Sequence, residues 1–363
     1  MQLTNCHTHT FTHDHVPDRF VPYLLGLLLK IPWVRRALLA LMRHLDPKRR
    51  GKLTRYAQIL EVSYKRSQER VFEILRDFYP QDTRFVVLPM DMELMGAGSV
   101  AKSIDEQHAE LAQLRDGYPE LVIPFAAADP RRADVVEKTK RWIEKNGFRG
   151  IKLYPPIGYH PNDEALRPLY AYAAERGIPV MTHCSRPASV QYRGEPTERM
   201  RTDPLTGQRL GLGRLELLTL FTDPDAYVPI LDAQPALKLC LAHFGGAGDW
   251  EAYLNDPWAP GSPAGQKSWL AKIMDMLRSG AYENLYTDIS YTVFANEEYV
   301  YLLEVLLSDE RVSRRVLFGS DFYVVENAEL EERRTSVRVR AMLGEDLFRT
   351  IAHDNPREYL GDP

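Results

Sequence analysis

The sequence predicts a (β/α)₈ TIM barrel, an α/β fold in which parallel strands alternate with helices. Short apolar runs rich in β-branched residues recur along the chain, and amphipathic helical segments separate them. The runs number eight, which is the count that closes a parallel sheet on itself rather than leaving it open.

The candidate strands are spread over the whole chain. Each is an apolar run of four or five residues, and helical patterns such as Asp134–Lys145 fill the intervals. In chain order the candidate strands are Leu3–Cys6, Arg84–Leu88, Leu121–Phe125, Gly150–Leu153, Ile178–Thr182, Leu237–Leu241, Asn284–Thr287 and Arg315–Phe318.

Two segments do not fit this repeat and are interpreted as insertions. Residues 12–80 hold long helical patterns between the first two strands and are predicted to form a helical cap. Residues 185–236 form a long connection, rich in proline, glycine and arginine, after the fifth strand, where long loops usually shape the substrate pocket. Because no low-complexity linker divides the chain, we expect one domain over residues 1–363.

Residues 20–52 of the first insertion combine apolar residues with a basic cluster. A helix with one packed face and one solvated face is the usual explanation of such a pattern, so we predict no membrane partner. A helix lying on a membrane surface is the alternative, and residues 20–45 also suit a lid or an oligomer contact. The basic residues behind the membrane alternative are Arg35, Arg36, Arg43, Lys48, Arg49, Arg50 and Lys52.

The composition argues against several classes of protein. A formal net charge of -4 gives no electrostatic reason to expect nucleic acid, so a small-molecule substrate is predicted. Three cysteines do not make a disulfide framework and favour a reducing compartment. Because the N-terminus also lacks the basic start and apolar run of a secretory signal, the cytoplasm is the expected location.

Metal binding is first indicated by His7 and His9, at the end of the first strand. Residues two apart share one face of a strand, so both imidazoles can reach the same ion. Alone this is a weak signal, since two solvent-facing histidines give the same pattern. His13 and His15 follow close to Pro17 and are interpreted as loop residues, with substrate contact as the alternative.

His183, His243 and Asp321 each follow an apolar strand directly. The C-terminal ends of all barrel strands meet at one mouth, so these residues become neighbours of the first two histidines. Imidazole and carboxylate ligands suit Zn²⁺, while Mn²⁺, Fe²⁺ and Co²⁺ remain open on ligand type alone. With a metal-activated water, Asp321 is the candidate proton acceptor, and His243 orients that water or stabilises an oxyanion.

These motifs together resemble the amidohydrolase superfamily, and more closely its amidohydrolase-2 branch of TIM-barrel metal-dependent hydrolases, which includes aromatic-acid decarboxylases. The resemblance implies that His7, His9, His183 and Asp321 are metal ligands and that His243 is the catalytic histidine. The motifs that carry it are His7–His9, Gly150–Pro155, His183, Ala242–Gly246, Phe318–Asp321 and Asn355–Leu360.

Lys152 and Asp288 also lie at strand ends. In binuclear members of the superfamily a lysine at the position of Lys152 is carboxylated and bridges two metals, whereas mononuclear members lack it. Otherwise Lys152 is a cation for a substrate carboxylate or simply a lysine near the pocket. One metal ion, rather than two, is the expected cofactor. Asp288 is predicted to hold a histidine or a substrate group, with a surface capping role as the alternative.

Aromatic residues after the fourth strand and two cysteines have weaker predictions. Tyr154, Tyr159 and His160 are candidates to line the substrate pocket, with packing as the alternative. Strand alternation points Cys6 and Cys184 away from the neighbouring histidines, so both are predicted to pack against the helices.

Hydrolysis of an amide, lactone or related C–N or C–O bond is the main functional prediction, because it needs an activated water and a polarised carbonyl. Non-oxidative decarboxylation of an aromatic or unsaturated carboxylic acid is the alternative, since the same metal and acid–base pair can protonate carbon. Phosphoesterases are a third class, but Lys152 stands where such an enzyme would have glutamate, which disfavours them. A non-catalytic binding protein is the last alternative. The resemblance also makes a homodimer an expected assembly.

Overall fold

A sheet of eight parallel strands, whose spatial order follows the chain, confirms the predicted fold class. The computed structural model describes residues 1–20, 28–29, 31–45, 61–65, 67–186, 190–255, 268–296, 298–322 and 329–362. A parallel bridge between Thr8 and Phe322 brings the two edges of the sheet together. The Cys6 amide also donates to the Phe318 carbonyl at 2.8 Å, so the first and last strands complete the barrel.

All eight strands overlap the runs predicted from the sequence. Their boundaries differ from the prediction by at most four residues, and mostly at the C-terminal end, where polar residues continue the strand. The strands are β1 Thr4–Thr8, β2 Arg84–Val87, β3 Val122–Ala127, β4 Gly150–Leu153, β5 Val180–Ser185, β6 Leu239–Gly245, β7 Leu285–Asp288 and β8 Val316–Leu317.

Helices separate the strands and cover the outside of the barrel. Several begin at a serine that accepts a backbone N–H, as Ser103 does from Glu106, which satisfies an otherwise unpaired amide at the helix start. The α-helices are α1 Pro32–His44, α2 Gln68–Arg76, α3 Ile104–Gly117, α4 Val135–Asn146, α5 Arg167–Arg176, α6 Glu198–Arg201, α7 Arg214–Thr222, α8 Val228–Ala233, α9 Ala247–Asn255, α10 Trp269–Ser279, α11 Thr292–Ala295, α12 Tyr299–Leu307, α13 Glu310–Ser313, α14 Glu329–Arg349 and α15 Asn355–Leu360.

Two apolar clusters show which strand residues point inward. Alternate strand residues such as Val86, Phe125 and Met181 form a cluster that includes no helix residue except two from α15. The intervening strand residues join the helices in a larger cluster. The inner cluster receives no side chain from β4, because the inward residue of that strand is Lys152. The barrel interior therefore contains a lysine where the other strands supply apolar residues.

The prediction for Cys6 is wrong, and the one for Cys184 is confirmed. Cys184 belongs to the outer cluster, and its thiol donates to the Thr222 carbonyl of α7 at 3.4 Å. Cys6 instead belongs to the inner cluster. The register between β1 and β2 shifts between Asn5 and Thr8, so the side on which Cys6 lies does not follow from that of His7 by strict alternation.

The insertions are more helical than simple loops. The first contains α1 and α2, but Lys48, Arg49, Arg50 and Lys52 of the basic cluster lie outside the described residues. The second contains three short helices, α6 to α8. Helices α6 and α7 pack apolar residues into a small cluster around Met200 and Phe221, whereas α8 packs against the main core. No helix within the described ranges is both long and apolar enough to cross a membrane.

Candidate metal centre and active site

His7 and His9 present the same ring nitrogen to Asp321. Their Nε2 atoms lie 3.5 and 3.0 Å, respectively, from Asp321 Oδ1. On the other side of each ring, His7 Nδ1 lies 2.9 Å from Asp288 Oδ2 and His9 Nδ1 lies 2.7 Å from the Leu88 carbonyl oxygen. An Nδ1–H donated to such an acceptor fixes the tautomer and leaves Nε2 with its lone pair, as in a metal-ligating histidine.

Asp321 follows β8 in a backbone conformation that few residues other than glycine adopt. Its φ is 64°, and its amide donates to the His7 carbonyl at 2.8 Å, which ties the aspartate to β1. Burial alone raises the pKa of the carboxyl, but the contact with His9 Nε2 and the nearby histidines bring the pKa below its ordinary value. Asp321 is therefore a carboxylate at neutral pH.

Left-handed backbone conformations are concentrated at this mouth of the barrel. Within the described ranges, the non-glycine residues with positive φ are His243, Phe244, Tyr291 and Asp321, all at or just beyond the ends of β6, β7 and β8. Such conformations are costly for residues with a Cβ and tend to occur at functional sites. Here they set the directions of His243 and Asp321.

Asp288, the last residue of β7, uses both carboxylate oxygens within the protein. Oδ2 accepts from His7, and Oδ1 accepts at 3.0 Å from the backbone amides of both His243 and Ser290, with the Ser290 hydroxyl also donating to it. Burial raises the pKa of Asp288, but His7 and the other donors outweigh burial and hold the pKa far below its usual range. Asp288 therefore orients the histidines and has little capacity left for an ion.

His183 and His243 form a pair of imidazoles beside the first three residues. His243 Nε2 lies 3.0 Å from His183 Nδ1, and the His243 ring centroid lies 4.9 Å from that of His7. His183 Nε2 contacts the Ser185 hydroxyl at 3.0 Å. His7, His9 and Asp321 form a group that could hold an ion, whereas His183 belongs to neither such group found among the described residues. Its role as a metal ligand stays a prediction.

Lys152 is fully buried in the barrel, and its Nζ has no hydrogen-bond partner among the described residues. Burial lowers the pKa of the amine to about 8, although the carboxylates of Asp288 and Asp321 favour the charged form. A buried polar group without a partner normally has an explanation such as a catalytic role or an unseen ligand. Lys152 is thus available to a substrate group or to chemical modification.

The three aromatic candidates after β4 differ in their surroundings. The Tyr154 ring packs on His183, with centroids 4.7 Å apart, so it lies at the site. The Tyr159 hydroxyl accepts from the Tyr154 amide at 2.6 Å, and His160 Nε2 lies 2.9 Å from the Met200 carbonyl oxygen while its ring packs on Phe221. Tyr159 and His160 therefore stabilise the loop, and their contact with substrate stays a prediction.

The loop histidines of the first insertion also have contacts within the protein. His13 and His15 are the first and last residues of a 3₁₀ helix that follows the histidines of β1. The His13 ring stacks on Tyr64 at 4.2 Å, and His15 Nδ1 accepts from the Thr12 amide at 3.0 Å. Among the described residues, their hydrogen bonds and ring contacts are to Thr12, Ser63 and Tyr64 rather than to the metal ligands, so these histidines shape the loop.

A buried polar network behind Asp321 was missed in the sequence. Asn5 donates to the Ser320 hydroxyl at 2.9 Å and to the Tyr79 hydroxyl at 3.2 Å, and Tyr79 donates to Glu332 at 2.7 Å. Burial raises the pKa of Glu332 to about 7. The network fixes the residue that precedes Asp321, but its members are far apart in the chain and carry no recognisable spacing.

The residues present fit a divalent metal. Two imidazoles and one carboxylate converge, and the far side of each imidazole is already anchored to an acceptor. Nitrogen and oxygen donors of this kind suit Zn²⁺ and its borderline neighbours Mn²⁺, Fe²⁺ and Co²⁺.

Comparison with protein families supports the same interpretation. The sequence matches the Amidohydrolase family, Amidohydro_2, over residues 76–361. The chain belongs to this family. Amidohydrolases of this kind are metal-dependent enzymes, which agrees with the group of ligands at the mouth of the barrel. The resemblance inferred from the strand-end motifs is thereby confirmed.

Solved structures with the same fold cover almost the whole amidohydrolase chain. An uncharacterised TIM-barrel protein from Bordetella bronchiseptica has a TM-score of 0.58 at 15% identity, covering 100% of this chain and 99% of that one. A 5-carboxyvanillate decarboxylase from Sphingomonas paucimobilis scores 0.55 at 14% identity, with 99% of each chain covered. A dihydroxybenzoic acid decarboxylase from a Polaromonas species, with bound manganese and 2-nitroresorcinol, scores 0.53 at 15% identity, with 99% and 97% covered. The search of curated proteins found no match.

The buried histidines predict how the metal-free amidohydrolase responds to acid. Burial lowers the pKa of His7 from 6.5 to about 3, so between these values the unfolded chain binds a proton that the folded chain excludes. The free energy of unfolding is therefore expected to fall as the pH drops from 6.5 towards 3. Urea titrations of the metal-free protein between pH 7 and pH 5, compared with His7→Asn, check this prediction, and an equal slope in both proteins contradicts it.

Proposed function

We propose that the protein is a metal-dependent hydrolase that acts on a small-molecule amide, lactone or related C–N or C–O bond. The observation that supports this most is the convergence of His7, His9 and Asp321, with both histidines already oriented through Nδ1. A bound divalent ion supplies Lewis acidity and lowers the pKa of a coordinated water to roughly 7.

The chain's own residues supply the proton transfers. Asp321 is ionised and buried, so its carboxylate is placed to accept a proton from water and to pass it to the leaving group. Burial lowers the pKa of His243, which makes its imidazole neutral at pH 7. Its contacts with His183 and Ser290 hold the ring in one orientation, so His243 can position the attacking water or the substrate carbonyl.

One ion is proposed rather than two. Asp288 belongs to a second potential group with His7 and His243, but its oxygens are occupied by His7, His243 and Ser290 within the protein. Zinc is proposed from the nitrogen and oxygen donors, and manganese, which one structural neighbour binds, is the closest rival. With one ion, Lys152 needs no carboxylation and serves as a cation for a substrate carboxylate.

Decarboxylation of an aromatic or unsaturated acid is the second candidate, and two observations favour it. The Lys152 amine, which has no hydrogen-bond partner within the described part of the chain, suits a substrate that carries a carboxylate. In addition, two of the structures with the same fold are described as decarboxylases of aromatic acids. In that reaction Asp321 would first take a proton from water or from a hydroxyl group of the substrate, and would then deliver this proton to the carbon that loses carbon dioxide, while His243 positions the substrate.

A substrate panel distinguishes the two candidates. The protein is freed of metal, reloaded with zinc or manganese, and tested for opening of lactones and cyclic amides and for carbon dioxide release from dihydroxybenzoates. Hydrolysis that disappears with the metal and returns with it supports the main proposal. Carbon dioxide release without hydrolysis supports the second candidate, and turnover that persists after complete metal removal overturns both.

We further propose that the enzyme works in the cytoplasm on a small molecule and without nucleic acid, and that it is a homodimer. Cys6, Cys184 and Cys240 are all buried and free, which suits a reducing compartment. Sedimentation of the purified protein measures the assembly directly, and a monomer at micromolar concentration contradicts the dimer.

A further inference from the structure

The side chain of Asn5 joins the two segments that carry the candidate metal ligands. Its Oδ1 atom accepts from the His7 amide at 3.3 Å and from the Ser320 amide at 3.2 Å. His7 is itself a candidate ligand, and Ser320 directly precedes the candidate ligand Asp321. One oxygen of one buried side chain therefore connects β1 with the turn that follows β8.

The two segments approach each other closely at this point. A Cβ atom added to Gly319 would lie 2.8 Å from His7 Cβ, which is closer than two such carbon atoms pack. The Asp321 amide donates to the His7 carbonyl at 2.8 Å, and Asp321 has φ 64°. A left-handed conformation of a residue with a Cβ persists only where its surroundings hold it in place. The bridge through Asn5 is one of the contacts that hold this turn.

The bridge requires one orientation of the Asn5 amide group. The two backbone N–H groups need an oxygen acceptor, so Oδ1 has to face them. Nδ2 then donates to the Ser320 hydroxyl at 2.9 Å and to the Tyr79 hydroxyl at 3.2 Å. In the reverse orientation an NH₂ group would point at two N–H donors. The partners of Nδ2 therefore select the orientation on which the bridge depends.

Glu332 of α14 sets the direction of the hydrogen bonds on the Nδ2 side. The Tyr79 hydroxyl has one proton, which it donates to Glu332 Oε1 at 2.7 Å. Because this proton points to Glu332, the Tyr79 oxygen is left as an acceptor for Asn5 Nδ2. Both Tyr79 and Glu332 are buried. Without an acceptor at position 332, the hydroxyl could donate to Asn5 instead, which would favour the reversed amide.

We propose that Glu332 is a positioning residue of the metal centre, which acts through Tyr79 and Asn5 to hold the β1 histidines and Asp321 at the separation that the ion requires. This role rests on the metal-dependent function proposed above, but it concerns the affinity for the ion rather than the reaction. Replacing groups that hold metal ligands in place commonly lowers metal affinity by roughly 10–100-fold.

Competition with a chelating dye for Zn²⁺ measures the affinity of each variant without a substrate. Glu332→Leu removes the acceptor and Tyr79→Phe removes the hydroxyl, so each should weaken zinc binding at least about tenfold. Glu332→Gln keeps an oxygen that can accept from Tyr79 and should therefore retain most of the affinity. Titrations at pH 8 keep Glu332 mainly ionised, because burial raises its pKa to about 7.

A double variant distinguishes one chain of contacts from two independent effects. Tyr79 and Glu332 are proposed to act through the same contact with Asn5, so Tyr79→Phe/Glu332→Leu should lose no more zinc affinity than Tyr79→Phe alone. Tyr172→Phe is the matched control, since Tyr172 is also buried and donates to a glutamate, Glu144, at 3.0 Å between α4 and α5. This control should be less stable and yet bind zinc like the unmodified protein.

Hydrogen exchange of the metal-free protein provides a second readout. The bridge protects the Ser320 amide, so a peptide that covers residues 316–322 should exchange faster in Tyr79→Phe and Glu332→Leu than in the unmodified protein. A peptide from β5 should exchange at the same rate in all of them. Circular dichroism confirms that each variant is folded, and the comparison uses the folded variants.

Several results would overturn the role of Glu332. These are unchanged zinc affinity in Glu332→Leu and Tyr79→Phe, additive losses in the double variant, or unchanged exchange in residues 316–322. If the variants bind zinc more weakly but the unmodified protein hydrolyses nothing in the substrate panel, the positioning role stands and the proposed reaction is wrong. Metal-dependent hydrolysis with equal zinc affinity in all variants gives the opposite conclusion.

Discussion

Replacing Asp321 with asparagine is expected to lower kcat by about a thousandfold, within the range known for lost acid–base groups. Asparagine keeps the size of the side chain but removes both the charge and the proton acceptor. It is also among the residues that best tolerate a positive φ, and Asp321 has φ 64°, so the fold should survive the change. The loss would then report on chemistry and metal binding rather than on misfolding.

The measurement combines metal content with steady-state kinetics on the substrate identified by the panel. Asp321→Asn should retain less metal after dialysis, because the aspartate lies within 3.5 Å of both β1 histidines. Asp116→Asn is a matched control at a largely exposed aspartate and should behave like the unmodified protein. Full activity in Asp321→Asn would remove this residue from the mechanism.

Replacing Lys152 with methionine is expected to make the metal-free protein more stable while abolishing most activity. The amine is buried and has no hydrogen-bond partner among the residues that the structure describes, and methionine fills a similar volume without a charge. Lowering of the Lys152 pKa from 10.5 to about 8 corresponds to a loss of about 3 kcal/mol in the free energy of unfolding. We expect Lys152→Met to regain about 1–3 kcal/mol of this loss.

The pH dependence distinguishes this explanation from a general packing effect. Between pH 8 and pH 10.5 the unfolded chain binds a proton at Lys152 that the folded chain excludes, so the penalty is complete below pH 8. The stability of the unmodified protein should therefore rise across this interval, and that contribution should vanish in Lys152→Met. Lys145→Met, at an exposed lysine of α4, is the control. A metal-free Lys152→Met protein that unfolds more easily would contradict this explanation.

The positions of the strands could be predicted from the sequence because the pattern of apolar runs is local. The convergence of His7, His9 and Asp321 followed from a property of all such barrels, that strand ends meet at one mouth. The orientation of His183 could not be predicted, because it depends on a contact with His243, sixty residues later in the chain. A strand-end position determines where a side chain begins but not where its ring nitrogens point.

Other features escaped prediction for identifiable reasons. The side of Cys6 could not be predicted from that of His7, because a register shift in this part of β1 interrupts the alternation, and no single segment reveals such a shift. The network of Asn5, Tyr79, Ser320 and Glu332 contains hydrogen bonds between residues up to 315 positions apart, and an isolated tyrosine or glutamate gives no sign of such a partner.

The junction between the first and last strands has a consequence for synthesis of the protein. Asn5 and Ser320 hydrogen-bond across 315 positions, and the histidines of β1 meet Asp321 only at this junction. During translation, His7 and His9 leave the ribosome long before their carboxylate partner exists. A nascent chain therefore carries an incomplete set of ligands, and tight metal capture has to wait until nearly the whole polypeptide has been released and the barrel has closed.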